Sequence, residues 1–450
     1  MLGISKELQA HAARGLTVRA GLIGAGQMGT DMVAQAALMT GFDIAAVADV
    51  IPERAAEAFL IAGTPRERIA VARALAEANE ALLEGRFVAA SDFRSVTDAT
   101  QIDVVIEATG SPEVSARAAL RAIHQRKHLV EMSVEMDVTA GSLLRWYADR
   151  HGVVYTGAAG DEPAAIMELY DFATAMGLRV VCAAKGKNNP LDRSATPDEW
   201  AAEAQRRGLT PEMLVEFVDG SKTMIEMCAV ANATGLVPDV RGMHGPKANK
   251  ADFLSVFATK EQGGVLSKPG VVEFVIGDLG PGVFGGVTTD SPRVKQNLVL
   301  RDMGKGPNYL LLRPYHLCSM EVPLTASLAV LRHHPTMQPL KHPVAEVVAT
   351  AKTDLAPGTK LERIGGRTHY GLIDTVEAAR AERALPLGIA QSCVLKSAKA
   401  KGEVIGYDDV ELPAGSVVVA LRRLQDEWLA GEIGEAELGA RLDAFAGGRE

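Results

Sequence analysis

Basic clusters, paired cysteines and long apolar runs are missing from this sequence, and each absence removes a class of function. Lysine and arginine are scattered through 450 residues that carry a net charge of −9, so a phosphate backbone would meet no positive stripe and no nucleic-acid partner is expected. The four cysteines, Cys182, Cys228, Cys318 and Cys393, lie far apart without C-x-x-C spacing. Three of them stand in apolar runs, as small buried hydrophobes do, which fits a reducing compartment. No run of about 18 apolar residues occurs. The opening stretch MLGISKELQAHAARG reads as a polar helix without a signal-peptide core, so a cytoplasmic protein with no membrane partner is expected. H-E-x-x-H, cysteine pairs and D-x-D spacing are absent as well, leaving the metal question open, since a weakly held Mg²⁺ between carboxylates leaves no such mark. Repeats and low-complexity tracts are also lacking.

What is present is a rhythm. The length exceeds one hydrophobic core and implies two or three domains. From about Thr17 to Thr156, short apolar strands (TVRAGLIG, DIAAVAD, DVVIEATG, HLVEMS) alternate with amphipathic helices, among them one through Met28 to Met39, one from Pro52 and one from Pro112. That pattern predicts an α/β fold, a Rossmann-type doubly wound parallel sheet over residues 1–158. The Ala-, Glu- and Arg-rich stretch from Thr64 to Arg86 reads as an inserted helical pair. Residues 159–332 read as a mixed α+β catalytic and dimerisation domain, with Thr196-Pro197 and Thr210-Pro211 marking helix starts. RHHPTMQPLKHP, 332–343, reads as a linker. Two turn-bounded pieces, ATAKTDLAPGTKLERIGG and SAKAKGEVIGYDDVEL, predict a small β-rich domain over 344–412, and 413–450 reads as an amphipathic helical tail.

GLIGAGQMG places Gly24, Gly26 and Gly29 as G-x-G-x-x-G between a strand and a helix. In that context the glycines serve the tight turn, the approach of a pyrophosphate and the packing of helix on strand, with Gln27 and Met28 in the first helical turn. Asp49 ends the next strand, where a carboxylate accepts from a ribose hydroxyl and favours NAD; Arg54, one turn further on, could instead pair with the 2′-phosphate of NADP. Asp49 also fits as a helix N-cap ahead of Pro52. Thr109, Gly110 and Ser111 follow a strand whose end faces the cofactor, although they are equally ordinary turn residues.

Such an enzyme needs a proton donor or acceptor and groups that hold an anionic substrate. Glu135, Asp161 and Glu162 follow strands and would project from the sheet edge, or else cap the next helix. Lys185 and Lys187 share one face of the strand VVCAAKGK, and Asn188 and Asn189 add amides; the set suits a phosphate or carboxylate. In EFVDGSKTMIEMCAVANATG, Ser221 reads as an N-cap, and Lys222 and Glu226 fall four apart on one helical face. Apolar neighbours there would raise the Glu226 pKa or demand a cation. His244, Lys247, Arg313 and His316 are weaker candidates for the same pocket.

Together GLIGAGQMGTD, ATGSPEV, GAAGDEPAAIMEL, KGKNNPLDRSATPDEW, EFVDGSKTMIEM, ANATGLVPD, GMHGPKA, GGVLSKPGVV, GKGPNYLLLRPYHL and EVPLTAS resemble a family of reductoisomerase-like oxidoreductases found in some bacteria. Its members have a homoserine-dehydrogenase-like nucleotide domain and a C-terminal SAF domain, to whose pattern TDLAPGTKL and KGEVIGYDDV are similar. The resemblance implies NADPH-dependent conversion of 1-deoxy-D-xylulose 5-phosphate to 2-C-methyl-D-erythritol 4-phosphate, an early step of isoprenoid precursor synthesis, in a homodimer, with a lysine or a Mg²⁺ or Mn²⁺ ion stabilising enolate-like charge. It further implies that Lys185, Lys187 and Asn188 hold substrate oxygens while Glu135, Asp161, Glu162, Asp219, Lys222 and Glu226 surround the reacting carbons. Asp49 departs from what an NADPH enzyme carries. Two other readings stand beside this one: an NAD-dependent dehydrogenase of homoserine or a sugar-derived hydroxy acid, and a non-catalytic nucleotide-binding sensor or assembly protein.

Overall fold

The computed structural model describes residues 3–448. The chain divides into two compact units, the first made of residues 1–161, 317–341 and 420–450 and the second of 162–316 and 342–419.

In the first unit seven strands, β1 (Val18–Ile23), β2 (Phe42–Ala48), β3 (Ile69–Ala72), β4 (Phe87–Ala90), β5 (Val104–Glu107), β6 (His128–Glu131) and β7 (Tyr155–Gly157), form one sheet in the order β3-β4-β2-β1-β5-β6-β7. Every neighbouring pair is parallel. Strands buried on both faces must be apolar throughout, and Ala20, Leu22, Val47, Val104 and Ile106 are all withdrawn from water. The order reverses at β1, which lies between β2 and β5, so the crevice beyond the carboxyl ends of β1 and β5 is where a ligand binds in this fold.

Several expectations need correction. Residues 64–86 hold one α-helix, Leu75–Leu83, a single 3-10 turn at Arg66–Arg68 and the edge strand β3 rather than a pair of α-helices; Ile69 to Ala72 is too short to show a period against its Ala-rich surroundings. The segment 332–343 is no free linker. Its backbone lies along β7, with Gly157 N donating to Met337 O at 2.9 Å and the Thr156 hydroxyl accepting from Thr336 N and Met337 N; an edge strand has backbone groups left to pair, and this segment meets them. The helix Cys318–Arg332, expected with residues 159–332, belongs to the first unit, where Val322, Ala326 and Leu328 join its core. The tail is two helices, Val417–Leu429 and Glu435–Ala446. Its Gln425 repairs a break in the helix Val134–His151, whose backbone departs from helical angles at Ala140. The Gln425 amide donates to Thr139 O and accepts from Leu143 N, replacing the bond those two groups would make in a regular helix.

The second unit is built on a mixed sheet of β8 (Arg179–Lys187), β9 (Val237–Pro238), β10 (Val271–Ile276), β11 (Val283–Thr288) and β12 (Tyr309–Arg313), in the order β12-β11-β8-β10-β9 with β8 central. Thr196 and Thr210 are the N-caps expected, each followed by proline. Strands β13 (Ala345–Ala351) and β14 (His369–Thr375) pair antiparallel, as do β15 (Val394–Leu395) and β16 (Val410–Glu411). The 344–412 segment groups with residues 162–316 in the second unit rather than standing apart. Asn232, on the helix Ser221–Thr234, bonds the backbone of Val344 and Ala345 through both ends of its amide.

Candidate functional site

In the first unit the chain leaves β1 through Gly24 at φ +104°, where an added Cβ would lie 2.7 Å from Ala108 O. A Cβ on Gly29 would lie 2.1 Å from Gly24 O, so helix and turn touch there, whereas a Cβ on Gly26 would meet none of the described residues within 4 Å. The open glycine is also the N-cap of the helix Gln27–Ala36. The three positions thus divide into a turn, an exposed approach and a packing contact, which fits a dinucleotide pyrophosphate. Gln27 is exposed and Met28 half-buried in the first turn. Asp49 is half-buried; Oδ2 accepts from Ala25 N at 2.8 Å and Oδ1 from Ile51 N at 2.9 Å. It braces the glycine turn and caps no helix, since the N-cap before Pro52 is Ile51. Arg54 is exposed on that helix.

The loop Thr109-Gly110-Ser111 is held from below by a group the sequence did not single out. Glu107, at the end of β5, is fully buried. It accepts from the amide and the hydroxyl of Thr109 and from the Ser133 hydroxyl, which in turn accepts from Gly110 N. Glu131, at the end of β6, accepts from Ser133 N and from Ser115. Burial first, and then the neighbouring Glu107 charge and a hydrogen bond to it, push the Glu131 carboxyl well above the usual range. Reading Glu107 as the last residue of an apolar strand hid it. Glu135 is buried in the first turn of its helix rather than projecting from a sheet edge. Asp161 is buried, with Oδ1 4.0 Å from Cys318 Sγ.

In the second unit Lys185 and Lys187 lie on one face of β8, and both are buried. Lys185 Nζ donates to Glu162 Oε1 at 2.7 Å and to Glu226 Oε2. Burial opposes the charge of Lys185, but the two carboxylates overcome it and raise its pKa. Glu226 is raised by burial and by the Glu162 charge, with Lys185 and Lys222 acting in opposition. His316 joins through Glu162, Nε2 to Oε1 at 3.4 Å. Lys187 Nζ donates to Phe217 O. Its pKa falls to about 8, chiefly because it is desolvated and secondly because Lys185 is charged. Asn188 is exposed just beyond it, and its Oδ1 accepts from Asn189 Nδ2 at 3.2 Å.

Asp219 lies close enough to Lys187 for its charge to oppose the fall in that lysine's pKa, but its oxygens are held: Oδ2 accepts from Lys352 Nζ at 2.8 Å and Oδ1 from Ser221 N at 2.8 Å. Lys352 also donates to Ala195 O and Gly366 O, which exhausts its three protons. Ser221 is therefore not the N-cap; Gly220 is, and the Ser221 hydroxyl accepts from Gly371 N. His244 belongs to the opposite face of the sheet. Its Nδ1 lies 2.6 Å from Glu273 Oε1, and Glu273 is in register with Ala184 while Phe274 is in register with Lys185; alternate residues point to opposite faces. Lys247 is exposed at a bridge to Ile276. Arg313 donates to Glu168 at 3.1 Å.

Residues 160–322, which contain β8 and the helix bearing Glu226, match the family described as oxidoreductase DRL, catalytic domain. No curated protein matches the sequence. Solved structures that are similar include the myo-inositol dehydrogenase of Corynebacterium glutamicum ATCC 13032, 13% identical over 71% of this chain and 88% of that one, with a TM-score of 0.38. The UDP-N-acetylglucosamine 3-dehydrogenase GnnA of Acidithiobacillus ferrooxidans is 12% identical over 72% and 92%, with a TM-score of 0.39. A probable dehydrogenase from Thermotoga maritima is 10% identical over 95% and 94%, with a TM-score of 0.33. At this level of similarity these structures bear on neither substrate nor site. A Rossmann nucleotide unit and a segment that matches an oxidoreductase catalytic domain define the class: the protein is an oxidoreductase.

Proposed function

We propose that the protein interconverts a carbonyl and an alcohol on a small anionic substrate with NAD(P), and that Lys187 moves the proton. The observation that carries this reading is the pair of buried lysines ending β8. Lys185 is fixed and charged between Glu162 and Glu226, while Lys187, two residues along the same face, has a pKa of about 8. An amine that titrates near neutrality gives a proton to a carbonyl oxygen and takes one from an alcohol with little bias, as general acid–base work requires. With one N–H on Phe217 O, two remain for substrate oxygens. Lys185 supplies the charge that keeps Lys187 from holding its proton too tightly, and Asn188 offers an amide beside it.

A dinucleotide bound along Gly24, Gly26 and Gly29 supplies or accepts the hydride. Asp49 would repel a 2′-phosphate, so NAD is the preferred form. A Mg²⁺ or Mn²⁺ ion at the carboxylates of the second unit would have to take Glu162 and Glu226 from the Lys185 ammonium that they already share.

Two substrates follow from different observations. The motifs running through residues 160–322 favour 1-deoxy-D-xylulose 5-phosphate and a reductoisomerase reaction. Asp49 favours the second reading, an NAD-linked dehydrogenase of homoserine or a sugar-derived hydroxy acid. The test compares wild type with Lys187→Ala on these substrates while dinucleotide affinity is measured separately. Turnover lost by about 10²–10⁴-fold at unchanged dinucleotide affinity supports the role given to Lys187; turnover near the wild-type rate removes it.

A further inference from the structure

Two helices of the first unit, Pro112–His124 and Val134–His151, end on histidines that meet the C-terminal helix Glu435–Ala446 at Asp443. His124 Nδ1 lies 3.6 Å and His151 Nε2 3.7 Å from Asp443 Oδ1, and the three ligand-type atoms all lie within 4.8 Å of one another. We propose that His124, His151 and Asp443 form a binding site for a transition-metal ion of the Zn²⁺ type, which clips the C-terminal helix to the nucleotide domain.

The distances support this. Ligand atoms about 2.1 Å from a tetrahedral ion stand roughly 3.4 Å apart, so both histidine–carboxylate separations need to close by only a few tenths of an ångström. Tautomer supports it too. His151 Nδ1 lies 3.0 Å from Tyr147 O; a carbonyl only accepts, so Nδ1 carries the proton and the Nε2 lone pair faces Asp443. A backbone carbonyl in that place is the usual outer partner of a metal-bound histidine. Two helix C-termini also converge here, and their partial negative charge favours a cation.

Tyr147 completes the surroundings. Its hydroxyl is 2.8 Å from Asp443 Oδ1 and 3.1 Å from His124 Nδ1, so its single proton serves one of two acceptors whose lone pairs an ion would otherwise engage. Arg150, on the same helix, lies over the Trp146 ring at 5.9 Å, and its charge also reaches Tyr147. Two imidazoles and one carboxylate suit Zn²⁺ better than Mg²⁺ or Ca²⁺, which take oxygen ligands. The fourth position is left to solvent. The chain between His151 and Asp443 is long, so the cross-link would remove much freedom from the unfolded state.

The test uses the full chain stripped with chelator and titrated with Zn²⁺ alone. Bound metal is counted after dialysis, and hydrogen exchange is followed over residues 435–446. The expected result is one Zn²⁺ per chain lost on His124→Ala, on His151→Ala and on Asp443→Asn, with affinity falling by at least about 100-fold since even an outer partner is worth 10–100-fold. Slower exchange of 435–446 on adding Zn²⁺ is expected in the wild type only. Circular dichroism checks each variant, and His124→Gln replaces any alanine variant that fails to fold. Wild type that takes up no Zn²⁺, or histidine variants that keep the same stoichiometry and the same exchange response, would overturn the proposal.

Discussion

Lys185, on the central strand of the second unit, and Glu226, on the helix that covers it, form an ion pair with side chains only 8% and 2% exposed. Glu162 is the second carboxylate on the same ammonium, and the charge of Lys222 also acts on Glu226. Removing the two partners should therefore not be equivalent. Lys185→Met leaves two carboxylates confined together and is expected to cost about 3–5 kcal/mol, as breaking a buried pair does. Glu226→Gln leaves Lys185 with Glu162 and should cost less than half as much. Urea unfolding followed by circular dichroism measures both; equal losses would show that the second carboxylate on Lys185 has no energetic consequence.

The Lys187 pKa of about 8 fixes the direction of the pH dependence. In reduction the lysine must hold its proton, so kcat/KM should be level below pH 8 and fall above it. In oxidation the amine is needed, and the profile should rise through the same pH. Lys187→Arg keeps a cation that cannot deprotonate; it should lower the rate by about 10²–10⁴-fold and abolish this inflection.

Gly26 separates binding from folding. With none of the described residues within 4 Å of an added Cβ and an ordinary negative φ, Gly26→Ala should change stability by no more than about 1 kcal/mol. It should weaken dinucleotide binding at least about tenfold, because the methyl group occupies the pyrophosphate approach. Calorimetric titration with NADH gives the affinity and thermal unfolding gives the stability; unchanged affinity would place the dinucleotide elsewhere.

Asp137 and His369 should respond to pH in opposite senses. Burial raises Asp137 from 3.8 to about 6, and its Oδ2 has no hydrogen-bond partner among the described residues. The protonated form is favoured in the fold, so its contribution is complete below pH 3.8 and is lost as pH rises through 6. Asp137→Asn should accordingly stabilise the protein at pH 8, by about 3 kcal/mol at most. Burial lowers His369 from 6.5 to about 4, so its contribution is present above pH 6.5 and lost as pH falls through 4. His369→Leu should shift the acid unfolding midpoint to lower pH. Equilibrium unfolding at several pH values checks both signs.

Much of the first unit was legible because its information is local. Alternating apolar strands and amphipathic helices show their period within a dozen residues, and the glycine spacing shows where the strand turns into the helix. β3 escaped because four residues, Ile69 to Ala72, are too few to display a period. At the site, the shared face of Lys185 and Lys187 was visible from strand alternation alone. The rest depends on register and on long-range pairing. His244 could be assigned to the far face of the sheet only once Glu273 was seen beside Ala184. Lys352, 133 residues from Asp219, has no local feature that marks it as the partner of that carboxylate. Glu107 was hidden for the opposite reason, since an acid closing an apolar strand looks like the strand's solvent end until its buried donors are found.

The most direct test of the central claim is the oxidation of NADH and of NADPH, followed by nicotinamide absorbance, with 1-deoxy-D-xylulose 5-phosphate as substrate; NAD⁺ and NADP⁺ reduction with homoserine and sugar-derived hydroxy acids completes it. Each reaction is run on wild type and on Lys187→Ala. The expected result is substrate-dependent turnover with at least one of these compounds, faster with the NAD form and abolished by the variant. Turnover that survives Lys187→Ala undiminished, or a wild-type protein that binds neither dinucleotide, would contradict it.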